Sequence, residues 1–286
     1  MLGFAPIVFR RKILSWDRVC LFGVMNITPD SFSDGGRHVE VAQAVEFGLR
    51  SIAAGADVLD VGGESTRPGA SPVSGEEETA RVVPVIEGLL RAGCAAPISV
   101  DTTKAAVARA ALAAGAEIVN DISGGRFDPA MIDVVAAAGA AYVCGHVRGR
   151  NLAEVHASEN DPPGFAEVAA ELGERVAALP ADLRQRTLVD PGIGFGKGTA
   201  QNLEILARAG ELAAATGRPV LVGPSRKRFL GLLTGKPVGE RDDATIGACL
   251  AAVAAGASAV RVHDVGRTRD ALTVFQAIFQ AARGQP

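Results

Sequence analysis

Short apolar runs alternate with longer alanine-rich stretches along most of the chain. Eight such runs lie at 19–26, 57–63, 97–102, 117–123, 141–147, 187–192, 219–225 and 259–265. They are almost continuously apolar, which is typical of parallel strands buried on both faces. The stretches between them, such as ETARVVPVIEGLLRAG and TAQNLEILARAGELAAATG, are helical in character and end at a glycine, a common helix stop.

Eight strand–helix units within 286 residues predict an α/β protein with a closed (β/α)8 TIM barrel. A doubly wound open sheet is the alternative, but that fold usually has fewer strands and a nucleotide-binding fingerprint. We expect a single domain, in which residues 1–18 form a short N-terminal extension that caps the barrel and residues 19–286 form the barrel itself.

The glycine-rich stretch VDPGIGFGKG, residues 189–198, looks at first like a phosphate-binding loop. It fails the P-loop pattern, because Pro191 stands at the first glycine position and Gly198 stands where serine or threonine is required. It also fails the dinucleotide pattern, whose third glycine would fall on Lys197. We therefore expect Lys197 to be a surface or helix-start residue, and not a phosphate ligand.

Composition narrows the function classes. The formal net charge of −3 argues against a general nucleic-acid binder, so a phosphorylated substrate would need a local basic pocket. The N-terminus lacks the pattern of a signal peptide, and the longest apolar run, 246–260, is too short to span a bilayer. The four cysteines are far apart and form no Cys-x-x-Cys pair, which fits a reducing compartment. We expect a soluble cytoplasmic protein.

Polar residues stand at the end of every predicted strand. They are Asn26, Glu64, Asp101, Asn120, Asp121, His146, Asp190, Ser225, Arg226, Lys227, Arg261 and His263. Active sites of TIM barrels lie at the carboxyl ends of the strands, so these side chains are expected to converge on one ring. No Ser-His-Asp triad is apparent near Ser225, and the histidines lack the spacing of a zinc site.

The residue types indicate what such a ring would bind. Asp101, Asn120 and Asp190 supply acceptors for a flat heterocycle with several N–H donors, such as an aminopyrimidinone. The cationic residues suit an anion such as a diphosphate, and they are Arg67, Lys227, Arg261 and His263. Asn26 can offer a carbonyl oxygen to Mg²⁺.

Six motifs carry a resemblance to a known family. GVMNITPDSFSDGG, DVGGESTRPGA, VDTTKAAVARAALAAGAEIVND, DPGIGFGKG, GPSRKRFLG and RVHDV occur in this order, and the chain resembles the dihydropteroate synthases from about residue 21 onward. The resemblance implies a pterin-binding TIM barrel that is usually a homodimer. It implies an S_N1-like condensation of 6-hydroxymethyl-7,8-dihydropterin diphosphate with p-aminobenzoate, giving 7,8-dihydropteroate and diphosphate for folate biosynthesis. Mg²⁺ would assist, and sulfonamides would compete with p-aminobenzoate.

The resemblance also implies roles for particular residues. Pterin-binding positions fall on Asp101, Asn120, Asp190, Lys227 and Arg261. Diphosphate-binding positions fall on Thr66, Arg261 and His263, with Asn26 acting through Mg²⁺. Positions that bind p-aminobenzoate fall on Arg67, Pro68, Phe195, Ser225 and Lys227. The segments 27–36 and 64–70 would be the loops that close over the reaction.

One position departs from the family pattern. In CGHVR, residues 144–148, Gly145 stands where a methionine that packs on the pterin is usual, which predicts a gap beside the ring. Two alternatives to the synthase follow from the same motifs. One is a catalytically inactive pterin-binding paralogue, and the other is a methyltetrahydrofolate-dependent methyltransferase, which would not need the SRK, RVH and TPDSFSDGG segments.

Overall fold

A computed structural model describes residues 3–9, 13–27, 37–66, 69–157 and 162–282. Its centre is a parallel eight-stranded sheet that curls into a barrel, as the alternating pattern predicts. A two-stranded antiparallel hairpin of β1 (Ile7–Val8) and β2 (Ile13–Leu14) precedes it. The barrel strands are β3 (Cys20–Asn26), β4 (Val58–Gly62), β5 (Ile98–Asp101), β6 (Ile118–Asp121), β7 (Ala141–Gly145), β8 (Thr187–Asp190), β9 (Leu221–Val222) and β10 (Ala259–Val262).

The sheet runs in the order β8-β7-β6-β5-β4-β3-β10-β9, which is sequence order around a ring. The ring is closed between its two edges by a single parallel bridge, Val189 to Val220, with the Val189 N–H donating to Pro219 O at 3.0 Å. The TIM barrel prediction is confirmed, and the open doubly wound alternative is wrong. The contact between β8 and β9 is limited to this bridge because β9 has only two residues.

Helices cover the outside of the barrel. They are α1 (Arg37–Ala53), α2 (Gly75–Arg91), α3 (Ala105–Ala113), α4 (Met131–Ala138), α5 (Leu152–Ala157), α6 (Phe165–Ala178), α7 (Ala181–Gln185), α8 (Thr199–Ala207), α9 (Ala209–Thr216), α10 (Arg228–Thr234), α11 (Asp242–Ala254) and α12 (Val265–Ala282). The stretch 199–217 is two helices, broken at Arg208, whose backbone leaves the helical region. Gly210 then packs directly on α11, with its N–H donating to Ala255 O at 2.7 Å.

Side chains of each strand alternate between the barrel interior and the helices, as the pleat requires. At the amino-terminal end the interior is apolar, with Phe22, Val58, Ile118, Val143 and Leu188 buried in one cluster. Ile7, Leu14 and Trp16 of the N-terminal segment belong to the same cluster. A larger cluster fills the layer between the strands and the helices.

Among the described residues, no helix combines the length and the apolar character needed to cross a bilayer.

Candidate functional site

The interior of the barrel changes character toward the carboxyl ends of the strands, where four polar side chains form one network. Arg261 of β10 lies at its centre, with Nε donating to Asp60 Oδ2 at 2.5 Å and a terminal nitrogen donating to Asp101 Oδ2 at 2.5 Å. The amide of Asn120 donates to the same Asp60 oxygen at 3.0 Å. These residues come from strands β4, β5, β6 and β10, and each occupies an inward-facing position.

Three buried polar atoms in or beside this network have no hydrogen-bond partner among the described residues. They are the second carboxylate oxygen of Asp60, the carbonyl oxygen of Asn120 and the hydroxyl of Ser99. A buried acceptor without a donor is costly, typically by about 1–3 kcal/mol. Three of them on adjoining strands indicate a place for a ligand, or for water, that carries N–H or O–H donors.

The charged side chains of the network shift one another's pKa values. Burial and the nearby carboxylates of Asp60 and Glu78 raise the pKa of Asp101 to about 7, although Arg261 and Lys227 oppose the shift. Burial lowers the pKa of Arg261, but Asp60 and Asp101 outweigh it and leave that pKa above its ordinary value. Arg261 is therefore a fixed cation, whereas the charge of Asp101 responds to pH near neutrality.

Asp190 ends β8 and begins the glycine-rich loop. Burial raises its pKa, against the hydrogen bond from the Gly192 N–H, which reaches Asp190 Oδ1 at 2.7 Å. Gly192 has a φ of 69°, and a Cβ placed there would lie 2.0 Å from His146 O. Glycine is thus required at this position for both its conformation and its close contact with the end of β7.

Lys197 lies just before the N-cap of α8, but it is not on the surface, so the surface alternative of the prediction was wrong. Its side chain is buried, with 4% of the residue exposed. Its Nζ donates to three main-chain carbonyl oxygens, those of Gly192 at 3.1 Å, Phe195 at 3.2 Å and His146 at 3.2 Å. Burial lowers the pKa of Lys197 to about 7. A pattern of glycines and lysine cannot reveal that these carbonyls converge on the ammonium group.

The segment after β9 contributes three adjacent residues. Arg226 has a φ of 57°, unusual for a residue with a Cβ, and it is held there by two hydrogen bonds to Asp242 at 2.7 and 2.9 Å. This turn directs Lys227 to the glycine-rich loop, where its ammonium lies 3.8 Å from the centre of the Phe195 ring. Such a cation–π contact fixes the ring beside the pocket.

Ser225 and His263 form a pair that their spacing in the sequence does not reveal. Ser225 Oγ lies 2.8 Å from His263 Nδ1 and also accepts the His263 backbone N–H at 3.2 Å. A hydroxyl that accepts the backbone N–H is well placed to donate its own proton to Nδ1, which would leave the imidazole proton on Nε2. The pair comes together because β9 and β10 are neighbours in the barrel.

The other predicted site residues are placed less completely. Asn26 ends β3, partly buried, beside Gly62 of β4. Thr66 is partly buried just beyond the end of β4. Arg67 and Pro68 lie outside the described residues, as does most of the predicted loop at 27–36, from residue 28 onward. Their roles stay predictions.

Three of the polar strand-end residues point away from the ring, so the prediction that all of them converge was wrong. Glu64 binds Lys104 at 2.7 Å, and Asp121 accepts the hydroxyl of Tyr142 at 2.9 Å. His146 pairs with Glu171 of α6 at 3.0 Å, and burial lowers the pKa of His146 to about 4, so the imidazole is neutral at pH 7. His146 links the end of β7 to α6, Asp121 links β6 to β7, and Glu64 meets Lys104 just before α3.

Gly145 does not leave an empty gap. It is buried, and a Cβ added there would lie 2.4 Å from Ile122 Cα and 2.4 Å from Ile122 O. The main chain following β6 therefore takes the space that a side chain at this position would need. A methionine at 145 would require Ile122 to shift.

A cavity of about 450 Å³ lies behind this wall, outside the barrel interior. It is lined by Arg126, Arg148, Glu171, Glu174 and Arg175. Its charges are largely paired, because Arg148 binds Glu171 at 2.5 Å and Arg175 donates to Gly145 O at 2.7 Å and Val147 O at 3.0 Å. The cavity is a neighbour of the polar ring and shares no residue with it.

Comparisons with known proteins agree with this arrangement. The family model described as "Pterin binding enzyme" matches residues 22–263. A dihydropteroate synthase from Mycobacterium leprae is 47% identical over 273 residues, which cover 92% of this chain and 94% of that protein.

Solved structures give the same result. A Xanthomonas albilineans dihydropteroate synthase with 4-aminobenzoic acid superposes with a TM-score of 0.82 at 47% identity, covering 93% of this chain and 95% of that one. A Burkholderia cenocepacia dihydropteroate synthase complexed with 7,8-dihydropteroate gives 0.83 at 40% identity, covering 99% of both chains. The chain belongs to the dihydropteroate synthases, within the pterin binding enzyme family.

Proposed function

We propose that this chain condenses 6-hydroxymethyl-7,8-dihydropterin diphosphate with p-aminobenzoate, releasing 7,8-dihydropteroate and diphosphate. The observation that carries the proposal is the set of buried polar atoms on β4, β5 and β6 that have no hydrogen-bond partner among the described residues, next to the cation of Arg261. A flat pterin carries the amino and ring N–H donors that such acceptors need, and a diphosphate needs the cations.

The pterin would occupy the carboxyl end of the barrel interior. In this proposal Asp101, Asn120 and Asp190 accept its N–H groups, and Lys227 and Arg261 complete the pocket. Support comes from the pairing of Asp101 with Asn120 on β5 and β6, and from the burial of Asp190 at the end of β8, which raises its pKa. Asp60 joins this set, because it holds Arg261 and Asn120 in place and has a spare acceptor of its own.

The p-aminobenzoate site would lie on the side of Phe195. Phe195, Lys227 and Ser225 are drawn together by the cation–π contact and by the turn at Arg226. Arg67 and Pro68 are proposed to complete the site from the loop after β4. The ring of p-aminobenzoate would pack on apolar surface while its carboxylate meets a cation.

The leaving diphosphate would meet the cation of Arg261 and the imidazole N–H of His263, at and just after the end of β10. Breaking the C–O bond gives a delocalised pterin cation and a diphosphate that gains negative charge, so charges placed there stabilise the transition state more than the ground state. Arg261 and His263, with Thr66, are proposed to bind the diphosphate. The aniline nitrogen is neutral at pH 7 and already nucleophilic, so no strong general base is required.

Mg²⁺ is proposed as an accessory of the diphosphate. The described residues contain no cluster of three His, Cys, Asp or Glu side chains able to hold a metal ion by themselves. This donor set fits an ion that takes most of its ligands from phosphate and water, with the Asn26 side-chain oxygen as the protein contribution. When bound, the ion would neutralise charge on the diphosphate.

We also propose a homodimer. Leu232 and Leu233 of α10 and Val274 and Ile278 of α12 are each more than half exposed, and α11 packs against both helices. Apolar side chains on neighbouring helices are typical of an interface between subunits. Sedimentation analysis of the Ile278→Asp variant tests this: we expect the wild type to be a dimer and the variant to shift toward monomer.

Two further assignments are proposals of the same kind. A cytoplasmic location is supported by the four buried cysteines, none of which forms a disulfide. The reading of residues 1–18 as a cap is supported by Ile7, Leu14 and Trp16, which pack into the apolar amino-terminal end of the barrel.

The function is tested by diphosphate release from the purified protein mixed with the pterin diphosphate, p-aminobenzoate and Mg²⁺. We expect release that needs both organic substrates, with 7,8-dihydropteroate as the second product. Binding of the pterin diphosphate without turnover would support the inactive paralogue instead. Methyl transfer from methyltetrahydrofolate without any condensation would support the methyltransferase.

A further inference from the structure

Lys197 is a buried cation whose hydrogen bonds all go to main-chain oxygens. Its ammonium group donates to Gly192 O, Phe195 O and His146 O at 3.1–3.2 Å. Among the described residues, no carboxylate forms an ion pair with it. An ammonium group has three N–H donors and uses all of them here, so its capacity matches this set of three acceptors.

These three carbonyls connect the glycine-rich loop to the end of β7. Two belong to the loop itself, at Gly192 and Phe195, and one belongs to His146 across the cleft. Gly192 approaches His146 O so closely that a Cβ would lie 2.0 Å away, so this oxygen is covered by the loop. Lys197 donates the hydrogen bond that the buried His146 O requires. Its ammonium group thereby links the loop carbonyls of Gly192 and Phe195 to the end of β7.

The loop shape that Lys197 fixes is the one that presents Asp190 and Phe195 to the pocket. The Gly192 N–H fixes Asp190 Oδ1 at 2.7 Å, two residues from the bonded Gly192 O. Phe195 carries another bonded carbonyl, and its ring lies under Lys227. A change at Lys197 would therefore reach both predicted substrate sites although its side chain touches neither.

The buried charge of Lys197 does not by itself favour the folded state. Burial lowers its pKa to about 7, which means that the folded protein pays to keep the group charged. An apolar side chain of equal length would avoid that cost but would remove the Lys197 hydrogen bonds to Phe195 O and His146 O, leaving Gly192 O with the Phe195 N–H at 3.1 Å. A costly charge retained at the base of a substrate-facing loop fits a role in shaping the loop.

We propose that Lys197 is a positioning residue, whose ammonium group holds the 190–198 loop in the shape that binds the pterin at Asp190 and the benzoate at Phe195. This inference rests on the proposed function. Lys197 does not touch the reacting atoms, so it acts on the Michaelis constants more than on the turnover number.

The test compares Lys197→Met with a matched control, Arg269→Met. Arg269 is also a largely buried cation that donates to a main-chain carbonyl, Gly55 O at 3.0 Å, and to Asp57 at 2.6 Å, but it lies at the opposite end of the barrel. For both variants and the wild type, the measurements are KM for each substrate, kcat, the Kd of the pterin diphosphate by calorimetry, and the thermal midpoint.

For Lys197→Met we expect both KM values and the pterin Kd to rise about 10- to 100-fold, because each lost tenfold in affinity corresponds to about 1.4 kcal/mol of lost organisation. We expect kcat to change less than about threefold, since chemistry is not touched directly. For Arg269→Met we expect a lower thermal midpoint with wild-type KM values. Unchanged KM and Kd in Lys197→Met would overturn the proposal, as would equal losses of affinity in both variants.

The wild-type protein provides a second test that needs no substitution. A neutral amine has only two N–H donors for three carbonyls, so pterin affinity should fall as pH rises above about 7, where Lys197 loses its proton. The charged or titratable groups that face Lys197 are Asp190, Arg175, Glu171, Lys227 and His146. Affinity that stays constant from neutral to alkaline pH would overturn the proposal.

These experiments distinguish a failure of the proposed function from a failure of the inference about Lys197. Wild-type protein that bound neither substrate would overturn the proposed function together with this inference. Tight binding by the wild type and by Lys197→Met alike would overturn this inference alone.

Discussion

The two ends of the barrel interior are built from the same strands and have opposite characters. At the amino-terminal end, the inward positions hold Phe22, Val58, Ile118 and Leu188 in a closed apolar cluster. Two residues further along β4 and β6, the inward positions hold Asp60 and Asn120, with acceptors that have no donor among the described residues, and the corresponding position of β8 holds Asp190. The apolar end contributes stability, and the polar end gives up stability to bind a substrate.

The buried cations sharpen this contrast. At the apolar end, Arg269 and Asp57 form an ion pair that joins α12 to the start of β4. At the polar end, Arg261 is shared between Asp60 and Asp101, and Lys197 is bound only to carbonyls. The first arrangement ties two elements of the fold together, whereas the other two set the shape and charge of a pocket.

The largest expected effect is a loss of stability at the apolar end. Phe22→Ala removes a fully buried ring and should lower the free energy of unfolding by about 3–5 kcal/mol. We expect folded protein to keep KM values close to those of the wild type, because the Phe22 side chain packs in the apolar cluster and only its backbone pairs with Arg261. Denaturant unfolding and steady-state kinetics measure the two quantities. A large rise in KM at full folding would break the contrast between the ends.

The next effect concerns Arg261. Arg261→Met leaves the carboxylates of Asp60 and Asp101 facing each other without their cation and removes a charge from the proposed diphosphate site. We expect kcat/KM to fall about 100- to 1000-fold, as is typical when a preorganised charged contact is lost. The measurement is steady-state turnover at saturating p-aminobenzoate. Near-normal turnover would remove Arg261 from the site.

A smaller effect is expected at Asp190. Asp190→Asn keeps the shape but loses the charge and turns one acceptor into a donor that faces the pterin. Pterin affinity should fall about 10- to 100-fold, which corresponds to losing a hydrogen bond to a charged group. Calorimetric titration with the pterin diphosphate gives the value. Unchanged affinity would mean that the pterin lies elsewhere.

Substitution of Gly145 should lower stability, which would not happen if the space beside it were empty. Because its Cβ would lie 2.4 Å from the Ile122 main chain, Gly145→Ala should cost about 1–3 kcal/mol of unfolding free energy from overpacking. Pterin affinity should also weaken if Ile122 shifts. An alanine variant as stable as the wild type, or one that binds the pterin more tightly, would show that the space is empty after all.

The pH dependence gives the most gradual effect. The pKa of Asp101 is raised to about 7, and its ionised carboxylate is the stronger acceptor for the pterin N–H groups, so pterin affinity should fall by up to about tenfold for each pH unit below 7. This acid limb of the pH profile is the opposite of the loss of affinity expected from Lys197, whose ammonium group loses its proton above about pH 7. Asp101→Asn should flatten the acid limb only. An acid limb that persists in this variant would assign it to another group.

Much of the fold could be predicted from the sequence, because eight apolar runs separated by helices leave few topologies. The site could be predicted only in part. Asn120 and Asp121 are neighbours in sequence, but alternation along β6 turns the first inward and the second toward Tyr142. Counting inward positions along β4 from Val58 would also have identified Asp60, which sequence reasoning missed because it lies within an apolar run.

Other parts depend on contacts that a local pattern does not contain. The pairing of Ser225 with His263 follows from the adjacency of β9 and β10, across 38 residues. Lys197 is buried because carbonyls from the loop and from β7 meet at one point. At Gly145, the missing side chain was evident from the sequence, but the Ile122 backbone that fills its place was not.

The most direct measurement is a crystal structure of this protein bound to 7,8-dihydropteroate. We expect the pterin ring among Asp101, Asn120 and Asp190 at the polar end of the barrel interior, with the benzoate ring beside Phe195. Product bound instead in the cavity lined by Arg126, Arg148 and Arg175, with the acceptors of Asp60 and Asn120 filled only by water, would contradict the account.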